Sequence, residues 1–295
     1  MSTKRKDTKN AVSARKPAKR STRSTLSIAT SAQRSVKDRV AALAAIPLAV
    51  TENDENLQAV LDVLRNQSEP VEVRLAALQS LAAAAFSVVA FESCRSDYIA
   101  TLREVADDPD PEIRQRVLGI LSREKDGFAQ KRLLEGLKNP AKALVPPAKA
   151  LQLLSYDVHA EAYAVARAVV SKPPNADARR EALRLLAADA TSAPLFEKLL
   201  RDKNELREIR QISASALHAL RPEKMLAHAR EMLLDKSEYD DIQATSLTAI
   251  TQFGDHNVFA KDEALLKSVD HLSSKASTKA KYKESARRFL GKYGR

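Results

Sequence analysis

The sequence predicts an all-α protein, an α-solenoid of about seven helical hairpins preceded by a leading helix. Three observations predict it. A short phrase recurs eight times at spacings of 31 to 40 residues: a polar or charged residue, most often Arg, then small or branched residues three and four positions on, then Leu, Ile or Phe at seven. Such offsets lie on one face of a helix, and repetition at this period marks stacked helical modules. The composition agrees, with hydrophobic residues at 44% but only 6 glycines and 4% aromatics, and without alternating Val/Ile/Thr-rich segments. Proline, Asp, Asn and Gly then punctuate the helical spacing, dividing each repeat into an antiparallel pair.

Residues 1 to about 33 are rich in Ser, Thr, Lys and Arg with few apolar groups, so they are expected to be disordered, with the solenoid over 34–295. The leading helix falls near Ser35–Val50, carries the weak copy Arg39-Ala42-Leu43-Ile46, and is kinked or ended by Pro47. The first pair runs from about Glu55 to Arg65, turns at Gln67-Ser68-Glu69-Pro70, and returns from Val71 to Phe86 with Arg74-Ala77-Leu78-Leu81. The next runs from Tyr98 to Ala106, turns at Asp107-Asp108-Pro109-Asp110, and returns from Pro111 with Arg114-Val117-Leu118-Leu121. Asp110 reads as an N-cap ahead of a proline at the first helical position, where the missing N–H costs nothing.

Breaks at Asn139-Pro140, Pro146-Pro147, Pro173-Pro174-Asn175, Pro194 and Pro222 separate the later helices. These return with Pro147-Ala150-Leu151-Leu154, Arg179-Ala182-Leu183-Leu186, Arg210-Ser213-Ala214-Leu217 and Gln243-Ser246-Leu247-Ile250, and Tyr282-Ser285-Ala286-Phe289 closes the array. Gly127 and Gly254 are expected to end helices. One pair is too small to bury a core alone, so Leu78, Leu118, Leu183 and Leu247 are expected to lie inside against neighbouring pairs. Phe196, Phe253 and Phe289 are expected in that core.

Glu72-Val73-Arg74, Glu112-Ile113-Arg114, Asp177-Ala178-Arg179 and Glu208-Ile209-Arg210 resemble the acidic-apolar-Arg signature of HEAT repeats. They are especially similar to the short HEAT-like repeats of the phycobilin-lyase type, over roughly residues 35–292. The resemblance implies a right-handed, HEAT/armadillo-like superhelix. It also implies a ladder in which acidic residue and Arg pair between adjacent repeats, incomplete where Gln243 and Pro147 replace the Arg. A fold of this kind serves many functions.

The net charge of +11 is unevenly placed. Residues 1–23 carry +8 and residues 274–295 carry +7, which leaves −4 for 24–273. Lys4, Arg5, Lys6, Arg15, Lys16, Lys19 and Arg20 resemble a split nuclear-import signal, fit a transit peptide, or could hold nucleic acid through sequence-independent phosphate contacts. Lys279, Lys281, Lys283, Arg287 and Arg288 could extend that patch, or serve as the polar face that a terminal repeat needs. No apolar run approaches the roughly 20 residues of a membrane span, and the start lacks a hydrophobic signal core, so a cytoplasmic location is expected, nuclear or nucleoid-associated as the variant.

The residues that carry chemistry elsewhere are sparse. His159, His218, His228, His256 and His271 have no metal-ligand spacing. Asp107-Asp108-Pro109-Asp110 lacks the glycine and terminal Glu of a calcium loop, and reads as a capped turn, as does Asp240-Asp241. Cys94 is alone and reads as a small apolar residue. Neither a phosphate loop nor a nucleophile elbow is present. The HEAT-like DNA glycosylases depend on Trp, which this chain lacks. No enzyme activity, cofactor or metal is expected.

The expected function is therefore a non-enzymatic scaffold that binds a protein or peptide on its concave face, with the basic tail contacting acidic surfaces. Arg116, Arg180 and Arg184 are the candidate partner-binding residues on that face, and Arg287 and Arg288 on the last helix. The alternatives are a solenoid binding DNA or RNA through the basic termini, and a lyase-like maturation factor or chaperone, which the repeat subtype implies.

Overall fold

The computed structural model describes residues 22–157, 159–274 and 280–294, and these are helical without a strand. Two compact units divide the chain, Met1–Ile113 and Arg114–Arg295, with the boundary inside the helix Pro111–Arg123.

In the first unit, α1 (Thr22–Thr30) and α2 (Val36–Ala44) precede the pair α3 (Asp54–Arg65) and α4 (Val71–Ala84), followed by the short α5 (Val88–Phe91) and by α6 (Arg95–Val105). Helix α1 falls within the stretch expected to be disordered. Averaging over that polar stretch hid Leu26, Ile28 and Ala29, which give one apolar stripe; Ala29 is fully buried as α1 packs on α2. Starts follow local chemistry: the Ser35 hydroxyl accepts from Asp38 N–H at 3.1 Å, and the Asn53 side chain accepts from Asn56 N–H at 2.9 Å. Helix α2 ends before Pro47, as expected. Helix α4 lies against both α3 and α2, with Ala77, Leu78 and Leu81 buried between them.

Helix α7 (Pro111–Arg123) begins at its proline, with Asp110 accepting from Glu112 and Ile113 N–H at 2.9 and 3.0 Å. The second unit continues with the pairs α8 (Gly127–Lys138) and α9 (Pro147–Leu154), α10 (Ala160–Ser171) and α11 (Ala176–Leu186), α12 (Ala193–Arg201) and α13 (Arg207–Leu220), and α14 (Pro222–Leu234) and α15 (Asp240–Phe253). The short α16 (His256–Phe259) leads to the last pair, α17 (Glu263–Ser274) and α18 (Ala280–Tyr293). Each outgoing helix packs on its returning partner, and the returning helices α9, α11, α13, α15 and α18 pack in series. This is the stacking of a HEAT-like solenoid. Leu118, Leu183 and Leu247 are buried, as expected, and the end of the array is sealed by Leu247, Ile250, Phe259, Leu265, Tyr282, Phe289 and Tyr293.

Two further expectations, for Gly127 and Phe253, are corrected. Gly127 starts a helix, because Asp126 caps it through Phe128 and Ala129 N–H; the left-handed residue that closes α7 is Lys125, with φ 56°. Gly254 ends α15, as expected, at φ −71°, where the missing side chain serves close packing. Phe196 and Phe289 are buried, whereas Phe253, the last residue of α15, points outward beside His218.

Candidate functional site

The Arg phrase builds a ladder. In three copies the Arg Nε donates to a carbonyl ten residues back, in the last turn of the preceding helix: Arg39 to Ala29, Arg74 to Leu64 and Arg210 to Leu200, at 2.9–3.0 Å. The terminal nitrogens then reach forward to a carboxylate in the next inter-helix turn. Arg39 meets Glu69, Arg74 meets Asp108, Arg179 meets Glu205 and Arg210 meets Glu238. The acid differs from the one expected. Glu72 and Glu112, two residues before the Arg, are exposed, while the ladder uses a carboxylate within the preceding turn. A side chain two positions away on a helix points elsewhere, whereas the turn lies directly over the next repeat.

The pairing sets the charge state of the acids. Arg179 hydrogen bonds hold the Glu205 carboxyl below the usual range. Burial pushes Glu238 up, but hydrogen bonds from Arg210 and Lys203 outweigh it and leave it lowered. These are structural charges, tightly satisfied.

Of the residues expected to bind a partner, Arg180 and Arg184 are brought together on Glu208. Arg180 donates to it at 3.1 Å and also pairs with Asp177, and Arg184 donates at 3.3 Å while holding Glu181 at 2.5 Å. Their charge is thus compensated within the face. Arg116 is exposed on α7. On α18, Arg288 pairs with Glu284 at 2.5 Å, Arg287 is exposed, and Lys292 donates to the Thr251 carbonyl. Lys4, Arg5, Lys6, Arg15, Lys16, Lys19 and Arg20 lie outside the described residues.

The histidines do not converge. His159 pairs with Gln130, His218 with Gln252, and His228 with Glu197. Among the described residues no group of three or more metal-ligating side chains is close enough to share an ion. Asp108 is buried against Arg74 and Asp241 holds Arg207, so both acidic turns are structural. Cys94 is buried. No single helix among the described residues is long and apolar enough to cross a membrane.

Two surfaces escaped the sequence reading. In the first unit the link from α4 to α6 turns Phe91 inward, edge-on to Tyr98 with ring centroids 5.4 Å apart. The same link leaves Phe86, Val88 and Val89 at 89%, 65% and 93% exposure. In the second unit an open cavity of about 770 Å³ lies where the ladder is interrupted, lined by Leu137, Val145, Val165, Ala168 and Val169 with Lys138 and Lys172 among its polar groups. In the sequence this tip looks like the end of a returning helix, and only the apolar residues Phe86, Val88 and Val89 around Ser87 signal it.

Neither a family model nor a curated protein matches the chain. Among solved structures it is similar to the complex of CpcE and CpcF of phycocyanin lyase from Nostoc sp. PCC7120. The identity is 14%, the match covers 90% of this chain and 98% of that one, and the TM-score is 0.40. The expectation of no enzyme activity is corrected: the solved neighbour is a lyase, so that expectation is withdrawn.

Proposed function

We propose that this HEAT-like repeat protein binds a protein partner through the apolar tip of its first unit, and acts on that partner as a maturation factor or chaperone. The tip carries the binding half of the reading. Large apolar side chains are buried almost everywhere else in this unit, yet Phe86, Val88 and Val89 stand together in solvent on a link that Phe91 anchors. Contiguous exposed apolar groups on an ordered support mark surfaces that other proteins cover. The maturation half takes its direction from the repeat subtype that the Arg phrases resemble. The basic stretch 4–23 would add contact with an acidic surface, through a salt-sensitive term.

Affinity capture with the intact chain tests the reading, set beside Phe86→Ser/Val89→Ser and charge reversal at Arg116, Arg180 and Arg184. Loss of a defined partner with the first variant supports the tip; loss only with the second moves the contact to the returning helices. Vesicle binding by the wild type, lost in the tip variant, would replace the protein partner by a lipid surface. The maturation half is read in the absorbance spectrum, where a tetrapyrrole carried by or transferred from the purified protein supports it and a colourless, inert preparation removes it.

A further inference from the structure

The second unit contains a notch flanked by two successive inter-helix turns that carry no Asp or Glu. Arg114 reaches the turn 139–146, Asn-Pro-Ala-Lys-Ala-Leu-Val-Pro, which offers no carboxylate; its Nε bonds the Leu144 carbonyl at 3.0 Å. Pro147 then stands in the Arg position of α9, and the following turn, Lys172-Pro173-Pro174-Asn175, also lacks an acid. Further along this unit the corresponding turns carry Glu205 and Glu238, each holding an Arg. The turn at 139–146 is also longer than those at 202–206 and 235–239, and it contains its own 3-10 turn, Pro140–Lys142.

The cavity opens between these two acid-free turns. Its walls are Leu137 and Val145 on one side and Val165, Ala168 and Val169 of α10 on the other. Gly136 lets the long turn lie against α8, since a Cβ there would sit 2.9 Å from the Ala143 Cα. Pro140, Pro146, Pro147 and Pro174 stiffen the rim, so little ordering is left for a ligand to impose. Lys138 is paired with Glu161 at 2.6 Å, and the exposed Lys172 has no ion pair among the described residues. The volume falls within the roughly 300–1,000 Å³ of ligand clefts.

We propose that this notch docks an extended peptide segment of a partner protein, bearing an Asp or Glu flanked by apolar residues. The apolar side chains would lie on Val145, Val165 and Val169, and the carboxylate would meet Lys172 at the rim. Charge complementarity selects an acidic segment, and the open side suits a continuous chain. The site lies in the second unit and does not depend on the tip.

The test is a displayed library of random dodecapeptides selected on the intact wild-type chain and counter-selected on Lys172→Glu. Ala168→Tyr, an exposed wall position, is a second variant that fills the cavity without touching the core. Recovered peptides should share an acidic residue beside apolar ones. Their Kd should weaken about tenfold or more with either variant, and equally when the peptide's acid becomes its amide. The Phe86→Ser/Val89→Ser chain should bind them unchanged, which separates failure here from failure of the tip. The assignment is overturned if no peptide survives counter-selection, if binding ignores the carboxylate, or if dodecanoate alone occupies the cavity and peptides do not.

Discussion

Arg210 and Glu238, 28 residues apart, join through two parallel hydrogen bonds of 2.8 and 2.7 Å, with both side chains withdrawn from solvent. The Arg Nε bonds the Leu200 carbonyl at the same time, and Tyr239 lies beneath the guanidinium at 5.9 Å. One side chain therefore ties the end of α12, the start of α13 and the turn before α15. Removing one partner strands a buried charge, which costs far more than the pair contributes over an apolar substitute. Glu238→Ala should lose about 3–5 kcal/mol in urea unfolding, and Arg210→Ala less, because Lys203 still holds the Glu238 carboxylate. The double replacement Arg210→Met/Glu238→Leu should lose much less than the two single losses added. Additive losses would show that the two groups are not coupled.

The ladder acids also set a pH dependence. Glu205 and Glu238, together with Asp235 paired to Lys203 and Asp262 paired to Arg230, all have folded pKa values lowered from their ordinary 4.5 or 3.8. A lowered folded value means that the unfolded chain binds protons first. The stabilisation is then complete above the ordinary values and is lost as pH falls below them toward the folded ones. The melting temperature should hold between pH 6 and 8 and fall steeply below about pH 4.5. Glu205→Gln should start lower and show a shallower acid slope. An unchanged slope would remove Glu205 from the acid transition.

The repeat phrase made the ladder's Arg legible, because Arg74, Arg179 and Arg210 recur at one helical position. Its acids were not, because Glu72 and Glu69 lie equally close in sequence and only the stacking of a turn over the next repeat selects Glu69-type positions. Buried Leu118 and Leu183 followed from spacing alone. Phe253 did not, since its exposure depends on where α15 stops relative to α18. The notch was hidden for a different reason. It arises from what Pro147 and the turn 139–146 lack, and a missing carboxylate has no meaning until the neighbouring turns are seen to use theirs.

The last pair of helices closes on α15 through a single glycine. A Cβ at Gly254 would meet the Ile250 carbonyl at 2.5 Å, Phe259 at 2.8 Å and the Tyr293 hydroxyl at 2.8 Å. That hydroxyl donates to the carbonyls of Ile250 and Gly254, at 2.7 and 3.1 Å, satisfying the exposed end of the helix. Gly254→Ala should destabilise by about 1–3 kcal/mol through overpacking, and Tyr293→Phe by about 0.5–1.5 kcal/mol through the lost hydrogen bonds. In the double variant the losses should be less than additive, because the second change removes one of the atoms the new methyl strikes. Full additivity in denaturant melts would place the strain on the Ile250 carbonyl and Phe259.

Stability and binding should separate at the tip. Phe86, Val88 and Val89 are mostly in water already, so exchanging them for Ser removes little buried area and should shift unfolding by no more than about 0.5 kcal/mol. Phe91→Ser, two residues on and 2% exposed, should instead loosen the link and lower the melting temperature by taking a buried ring from its contact with Tyr98. If the tip is the partner surface, the exposed-site variants lose capture while retaining the wild-type melt. Retained capture with an unchanged melt would leave the tip without a role, and a lowered melt would make Phe86 a packing residue.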